Sequence, residues 1–148
     1  MNEMHKLSLS VQYATNARKL PTRQQFRRWI KVALEQDVQM ALRIVNEAEG
    51  RELNRSYRGK DYATNVLTFV YDDTSPIYGD VVICAPVVAR EAREQGKDWL
   101  AHYAHLTIHA MLHLQGYDHE KKRDAEKMEA RETALMLKLR YPAPYLIR

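Results

Sequence analysis

Histidines are concentrated in one stretch of the sequence. Five of the six lie within 18 residues, namely His102, His105, His109, His113 and His119. Imidazole nitrogen is a preferred ligand of zinc and of several other transition metals. Two histidines that are four residues apart on a helix lie on the same face, one turn apart, and can bind one ion. The stretch therefore predicts a metal site.

The spacing of these histidines selects three of them as ligands. A helix rises about 1.5 Å per residue, so His102 and His109 are roughly 10 Å apart along the axis and cannot share one ion. Gly116 follows His113 by three residues, where a left-handed cap can end the helix and return the chain with His119. The ligand spacing His109-x-x-x-His113-x-x-Gly116-x-x-His119 is that of the metzincin motif. We therefore expect one Zn²⁺ per chain, held by three histidines, with a fourth position open for water, as in catalytic sites.

Four positions near the predicted ligands depart from that motif or remain open. The residue after the first ligand is Ala110, whereas a zinc protease has a glutamate there as its general base. His102 and His105 are interpreted as lying outside the ligand set, either at the surface or orienting a ligand imidazole. Asp118 could orient a ligand in the same way, or it could be a turn residue.

The predicted elements form an α/β (α+β) fold in which a small mixed four-stranded sheet packs with about five helices, one of them a zincin-like metal helix. Alternating or β-branched runs predict four strands, and capping signals with helical spacing predict five helices. The predicted strands are Leu7–Tyr13, Val38–Ile44, Thr64–Tyr71 and Gly79–Cys84. The first predicted helix is Thr22–Gln36, with a Thr22–Gln25 capping box, and the second begins after Asn46, with Glu49 as its capping partner. The third has Pro86 at its first position and ends at Gly96. The last two are Asp98–Gln115 and Lys121–Arg140.

Length and composition indicate one ordinary domain, residues 1–148, without a membrane span or a signal peptide. The single cysteine, Cys84, excludes an internal disulfide, and we expect a reducing, cytoplasmic location. A net charge of +4 with a pI of about 9.2 suits a polyanionic partner such as RNA, but many soluble proteins carry a similar charge by chance.

Two segments of this sequence resemble a known family. The first is HLTIHAMLHLQGYDH, residues 105–119, and the second is LNRSYRGKDYATNVLTF, residues 53–69, followed by GDVVIC, residues 79–84. In order and spacing they are similar to the YbeY endoribonucleases, also called rRNA maturation factors. The chain departs from the family pattern at Ala110, where glycine is usual, at Ala63 and Val70 in place of proline, and at Thr68 in place of serine.

The resemblance implies a zinc-dependent endoribonuclease specific for single-stranded RNA. It also implies a role on the small ribosomal subunit, in 3′-end maturation of 16S rRNA and in ribosome quality control. It carries His109, His113 and His119 over as metal ligands and Arg58 as the basic residue of the active cleft. Arg58 would stabilise charge on the phosphate, because a guanidinium can contact two oxygens at once. Weaker candidates for phosphate or sugar contacts are Lys60, Thr64 and Asn65.

Two other functions compete with an RNA-cleaving enzyme. A metalloprotease is favoured by the ligand spacing but opposed by Ala110. A non-enzymatic ribosome assembly factor with a structural metal is opposed by the ligand count, because structural zinc sites are usually closed by four ligands.

Overall fold

The computed structural model describes residues 5–145 of the chain, which form a four-stranded mixed sheet and five helices. This arrangement confirms the predicted α+β class. The elements, in chain order, are β1 (Leu7–Ala14), α1 (Arg23–Val32), β2 (Val38–Val45), α2 (Glu47–Arg58), β3 (Val66–Asp72), β4 (Ile77–Cys84), α3 (Ala85–Gln95), α4 (Trp99–Leu114) and α5 (Lys122–Lys138).

The sheet has the strand order β1-β2-β4-β3, which the sequence had left open. The strands β1, β2 and β4 run parallel, while β3 pairs with β4 in the antiparallel direction and forms one edge. On one face, Ile77, Val81 and Ile83 belong to the same core as the buried residues of α4. A Cβ atom at Gly79 would lie 2.6 Å from Cδ1 of Leu114, so the end of α4 approaches β4 directly.

Helix α4 lies at the centre of the molecule, in contact with α1, α3, α5 and the sheet. Its sequence is apolar nearly all round, and such a helix is usually buried on most sides. His105, His109 and His113 form its remaining stripe, one turn apart. Their exposure increases along the helix: the side chain is 12% exposed at His105 and 28% at His109, and His113 is exposed. The stripe therefore opens towards the C-terminal end of α4.

The predicted helix starts are partly correct. Thr22 caps α1 and forms the expected capping box with Gln25. Asn46 stands at the start of α2, but its side chain accepts a hydrogen bond from the Thr15 hydroxyl instead of capping the helix. The capping box predicted for Asn46 with Glu49 is therefore wrong.

Several further boundaries also differ from the predictions, including those of α3 and α1. Pro86 is the second residue of α3 and not the first. Helix α1 ends at Val32, before the predicted Gln36. Its early end has a tertiary cause, because the Gln115 side chain accepts the backbone N–H groups of Glu35 and Gln36 at 2.6 and 3.1 Å. Among residues 5–145, no helix is long and apolar enough to cross a membrane.

Candidate metal centre

The chain turns back sharply at the end of α4. The N–H of Gly116 donates to the carbonyl of His113 at 3.1 Å, and that of Tyr117 donates to Leu112 at 3.0 Å. This is the Schellman pattern of helix termination. Gly116 has a φ of +107°, a conformation that L-residues rarely adopt. The predicted turn is present, and it brings His119 back beside the helix.

The returned His119 lies next to two histidines of α4. Its ring centroid is 5.6 Å from that of His109 and 5.9 Å from that of His113. Three imidazoles bound tetrahedrally at about 2.1 Å from one ion would have centroids about 5.3 Å apart. Both distances from His119 are thus slightly larger than a closed coordination sphere requires. Accordingly, no three His, Cys, Asp or Glu side chains within residues 5–145 already meet at ligand distance.

Two of the three imidazoles have one nitrogen engaged and the other left for a ligand. The Nδ1 of His109 donates to Oε2 of Glu132 at 2.6 Å. The Nδ1 of His113 donates to the carbonyl of Tyr117 at 3.1 Å. A proton on Nδ1 leaves the lone pair on Nε2, the arrangement found in most metal-binding histidines. The donor set therefore fits a metal such as zinc, and the assignment of His109, His113 and His119 as ligands stays a prediction.

Sequence reasoning did not identify Glu132, the residue that engages His109. Its other oxygen, Oε1, accepts from Nε2 of His105 at 2.8 Å and also from the hydroxyl of Tyr145. Glu132 is fully buried, and it lies on the apolar face of α5 together with Met128 and Leu135. A single carboxylate on an otherwise apolar helix face was the signal that could have revealed it.

The ionisation of Glu132 follows from these contacts. Burial by itself raises the pKa of a carboxyl group, because it disfavours the charged form. The hydrogen bonds from His105, His109 and Tyr145 outweigh burial and lower the pKa of Glu132 to about 2. Near neutral pH the residue is therefore a carboxylate that accepts from both histidines.

The side chain of Asp118 stabilises the turn that follows α4. Its Oδ1 accepts the backbone N–H groups of His119 at 2.7 Å and of Glu120 at 3.1 Å. Both contacts fix the backbone that carries His119, and this is the pattern of an Asx turn. Of the two interpretations left open for Asp118, the turn residue describes its observed contacts.

The predicted substrate residues lie in and after the last turn of α2. Arg58 is the final residue of α2 and is exposed, and Gly59 ends the helix in the left-handed conformation with a φ of +69°. Lys60 is also exposed, whereas Thr64 is half-buried. The side chain of Arg58 makes no hydrogen bond or ion pair with the other residues that the structure describes. It is therefore available to a ligand.

Asn65 is engaged within the protein. Its amide donates to Glu91 at 3.1 Å, and the same carboxylate accepts from Nε2 of His102 at 2.9 Å. His102 is only 5% exposed, so it is not a surface residue. Burial lowers the pKa of His102, partly opposed by its hydrogen bond to Glu91. This second histidine–carboxylate pair is separate from the three gathered rings.

Comparison with known proteins places the chain in a family. The sequence pattern of the family described as Endoribonuclease YbeY matches residues 10–140. A protein named Endoribonuclease YbeY from Nitrosomonas europaea is 54% identical over 143 residues, which cover 97% of this chain and 87% of the relative. One of the same name from Aromatoleum aromaticum is 57% identical and covers 95% of this chain and 93% of the relative.

A solved structure is similar as well. A protein from Thermotoga maritima, determined in solution, superposes with a TM-score of 0.59 at 29% identity, covering 89% of this chain and 91% of that one. The family match over residues 10–140 includes the histidine-bearing segment, residues 105–119, and the segment that carries Arg58, residues 53–69. The chain belongs to the YbeY family of endoribonucleases.

Proposed function

We propose that this chain is a zinc-dependent endoribonuclease that cleaves single-stranded RNA. Cleavage of RNA phosphodiester bonds follows from membership of the family. The observation that carries the zinc-dependent part is the gathering of His109, His113 and His119. Two of these rings have Nδ1 engaged and Nε2 free, as zinc ligation requires.

In the proposed reaction, the three histidines would hold the metal ion and Arg58 would stabilise charge on the phosphate. When bound, a zinc ion supplies an activated water with a pKa near 7 and polarises a phosphoryl oxygen. His109, His113 and His119 would hold the ion and leave one position open. Arg58 would meet two non-bridging phosphate oxygens with its planar guanidinium, which is permanently charged. Charge stabilisation of this kind is often the largest single contribution to catalysis.

Three residues that follow Arg58 in the chain are proposed to make further contacts with the substrate. Lys60 is exposed two residues further on and would add positive charge along the RNA backbone. Thr64 would offer its hydroxyl to a phosphate or a sugar. Asn65 would contribute through its backbone or after exchanging its bond to Glu91. We rank these residues below Arg58.

Peptide hydrolysis is the competing activity, and it would need a general base that neither Ala110 nor Glu132 supplies. Ala110 is completely buried, and a methyl group cannot take a proton from water. Glu132 is also completely buried, and its two oxygens already accept from His105, His109 and Tyr145. Neither residue offers the solvent-facing general base that a zinc protease needs.

The cellular role is proposed from the same family relationship. We propose that the substrate is the 3′ region of 16S rRNA on the small ribosomal subunit, in rRNA maturation and ribosome quality control, and that the chain acts in the cytoplasm. A structural metal in a non-enzymatic factor is disfavoured, because only three ligands are proposed, whereas structural zinc sites are usually closed by four and often use cysteine, and Cys84 lies elsewhere, at the junction of β4 and α3.

The decisive experiment is an incubation of the purified protein with labelled single-stranded RNA, with and without a chelator. We expect cleavage that the chelator abolishes, that added zinc restores, and that rising salt weakens. Double-stranded RNA and casein are the matched substrates that should stay intact. Metal-dependent cleavage of casein with no action on RNA would reverse the assignment.

A further inference from the structure

Glu132 is the one acidic residue that is completely buried in the part of the chain that the structure describes. Removing a carboxylate from water costs several kcal/mol unless other groups satisfy it. An apolar residue on this face of α5 would pack against Met128 and Leu135 without that cost. The contacts of Glu132 therefore need an explanation beyond core packing.

The carboxylate bridges two successive turns of α4, with one oxygen for each histidine. Oε1 accepts from Nε2 of His105 at 2.8 Å, and Oε2 accepts from Nδ1 of His109 at 2.6 Å. The two imidazoles thus present opposite nitrogens to the same group. For His109 this contact fixes the proton on Nδ1 and leaves the lone pair on Nε2, and the centroid of the His119 ring is 5.6 Å from that of His109.

The chain after α5 returns to hold this carboxylate in place. The Tyr145 hydroxyl donates to Oε1, the oxygen that also accepts from His105. The Tyr145 ring stands edge-on to the His105 ring, with centroids 5.3 Å apart and planes at 89°. His105 and Tyr145 thereby fix one oxygen of Glu132, and the other oxygen is left with a single partner, His109.

We propose that Glu132 is a positioning residue for the metal centre, which fixes the tautomer and the direction of the His109 ring, with His105 and Tyr145 holding the carboxylate. This inference rests on the proposed metal site. In zinc proteins a carboxylate behind a ligand histidine fixes the tautomer and the direction of the ring, and its loss typically lowers metal affinity by about 10- to 100-fold.

The first test compares zinc affinity in wild-type protein and two matched variants, by competition with a chromophoric chelator. In Glu132→Gln, an amide offers only one oxygen and cannot accept from both imidazoles. We expect its dissociation constant for zinc to rise about 10- to 100-fold. The control is Glu91→Gln, which makes the same chemical change in the carboxylate that accepts from His102, a histidine of α4 outside the predicted ligand set. Its zinc affinity should be that of the wild type.

A second variant keeps the proposal falsifiable if Glu132→Gln does not fold. Tyr145→Phe removes one hydroxyl on the partly exposed C-terminal segment, and we expect a smaller loss of zinc affinity, about threefold to tenfold. NMR of the imidazole nitrogens in zinc-free protein adds a readout that a purely structural role would not move. It should show His109 protonated at Nδ1 in the wild type and a mixture of tautomers in the Tyr145→Phe and Glu132→Gln variants.

The outcomes separate this proposal from the one on which it rests. Wild-type affinity in both Glu132→Gln and Tyr145→Phe, with zinc still bound by the wild type, would overturn the role of Glu132 alone. Equal losses in Glu132→Gln and Glu91→Gln would also overturn it, because the effect would then be one of general stability. A wild-type protein that binds no zinc would refute the metal centre itself, and the positioning role with it.

Discussion

Gly116→Ala tests whether the turn after α4 builds the metal centre. Gly116 has a φ of +107°, well outside the region near +60° that L-residues occasionally adopt. A Cβ atom there would meet nothing within 4 Å, so the substitution causes no steric clash with neighbouring groups. Its whole effect is therefore backbone strain, which costs about 1–3 kcal/mol at such a position.

The strain acts on the segment that carries His119. The N–H groups of Gly116 and Tyr117 close the end of α4, and His119 follows three residues after the glycine. If the turn relaxes to relieve the strain, His119 moves away from His109 and His113. Should the full 1–3 kcal/mol appear in metal binding, zinc affinity would fall by about 5- to 150-fold. If the turn holds instead, the same energy is lost from folding stability.

Gly96→Ala provides the matched control. Gly96 caps α3 with a φ of +63°, an added methyl group there would also meet nothing within 4 Å, and the residue lies outside the segment of the three predicted ligands. Urea unfolding of zinc-free protein and zinc titration by chelator competition are measured on both variants. We expect Gly96→Ala to lose about 1–2 kcal/mol of stability and no zinc affinity. Wild-type stability together with wild-type zinc affinity in Gly116→Ala would refute this reasoning.

The remaining predictions concern Arg58 and His102. Arg58→Ala should retain its zinc and lose most RNA cleavage, and Arg58→Lys should restore only part of it, because an ammonium group lacks the bidentate contact; cleavage at the wild-type rate in Arg58→Ala would exclude the role. His102→Ala should retain its zinc, because His102 pairs with Glu91 and not with the three gathered rings. Burial is the main reason that the pKa of His102 lies below its usual value of 6.5. As the pH falls, the His102 imidazole is therefore protonated in the unfolded chain before it is protonated in the folded protein, and folding stability decreases below about pH 6.5. His102→Gln should flatten that part of the pH–stability curve measured by urea unfolding, and an unchanged slope would contradict the assignment.

The helices and strands could be predicted because sequence signals within a few residues determine them. Thr22 with Gln25 and the glycines at helix ends act within a few residues, so the corresponding helix boundaries could be predicted. Alternation indicated the strands, but their order depends on contacts between distant segments. The early end of α1 has the same kind of cause, because Gln115 reaches the N–H groups of Glu35 and Gln36 from about 80 residues away.

The same distinction applies to the candidate site. His109, His113, Gly116 and His119 lie within one short segment, so their spacing alone could suggest a common ion. Glu132 lies on another helix, and its approach to His109 depends on how α5 packs against α4. The residues that surround Arg58 are likewise determined by packing, so sequence spacing could not predict them.

The most direct test of the central claim is the zinc content of purified wild-type protein and of His109→Ala, His113→Ala and His119→Ala variants, determined by elemental analysis. We predict about one zinc per chain in the wild type and a strong loss in each of the three variants, with the His102→Ala control still loaded. Unchanged zinc content in both His109→Ala and His113→Ala would contradict the account.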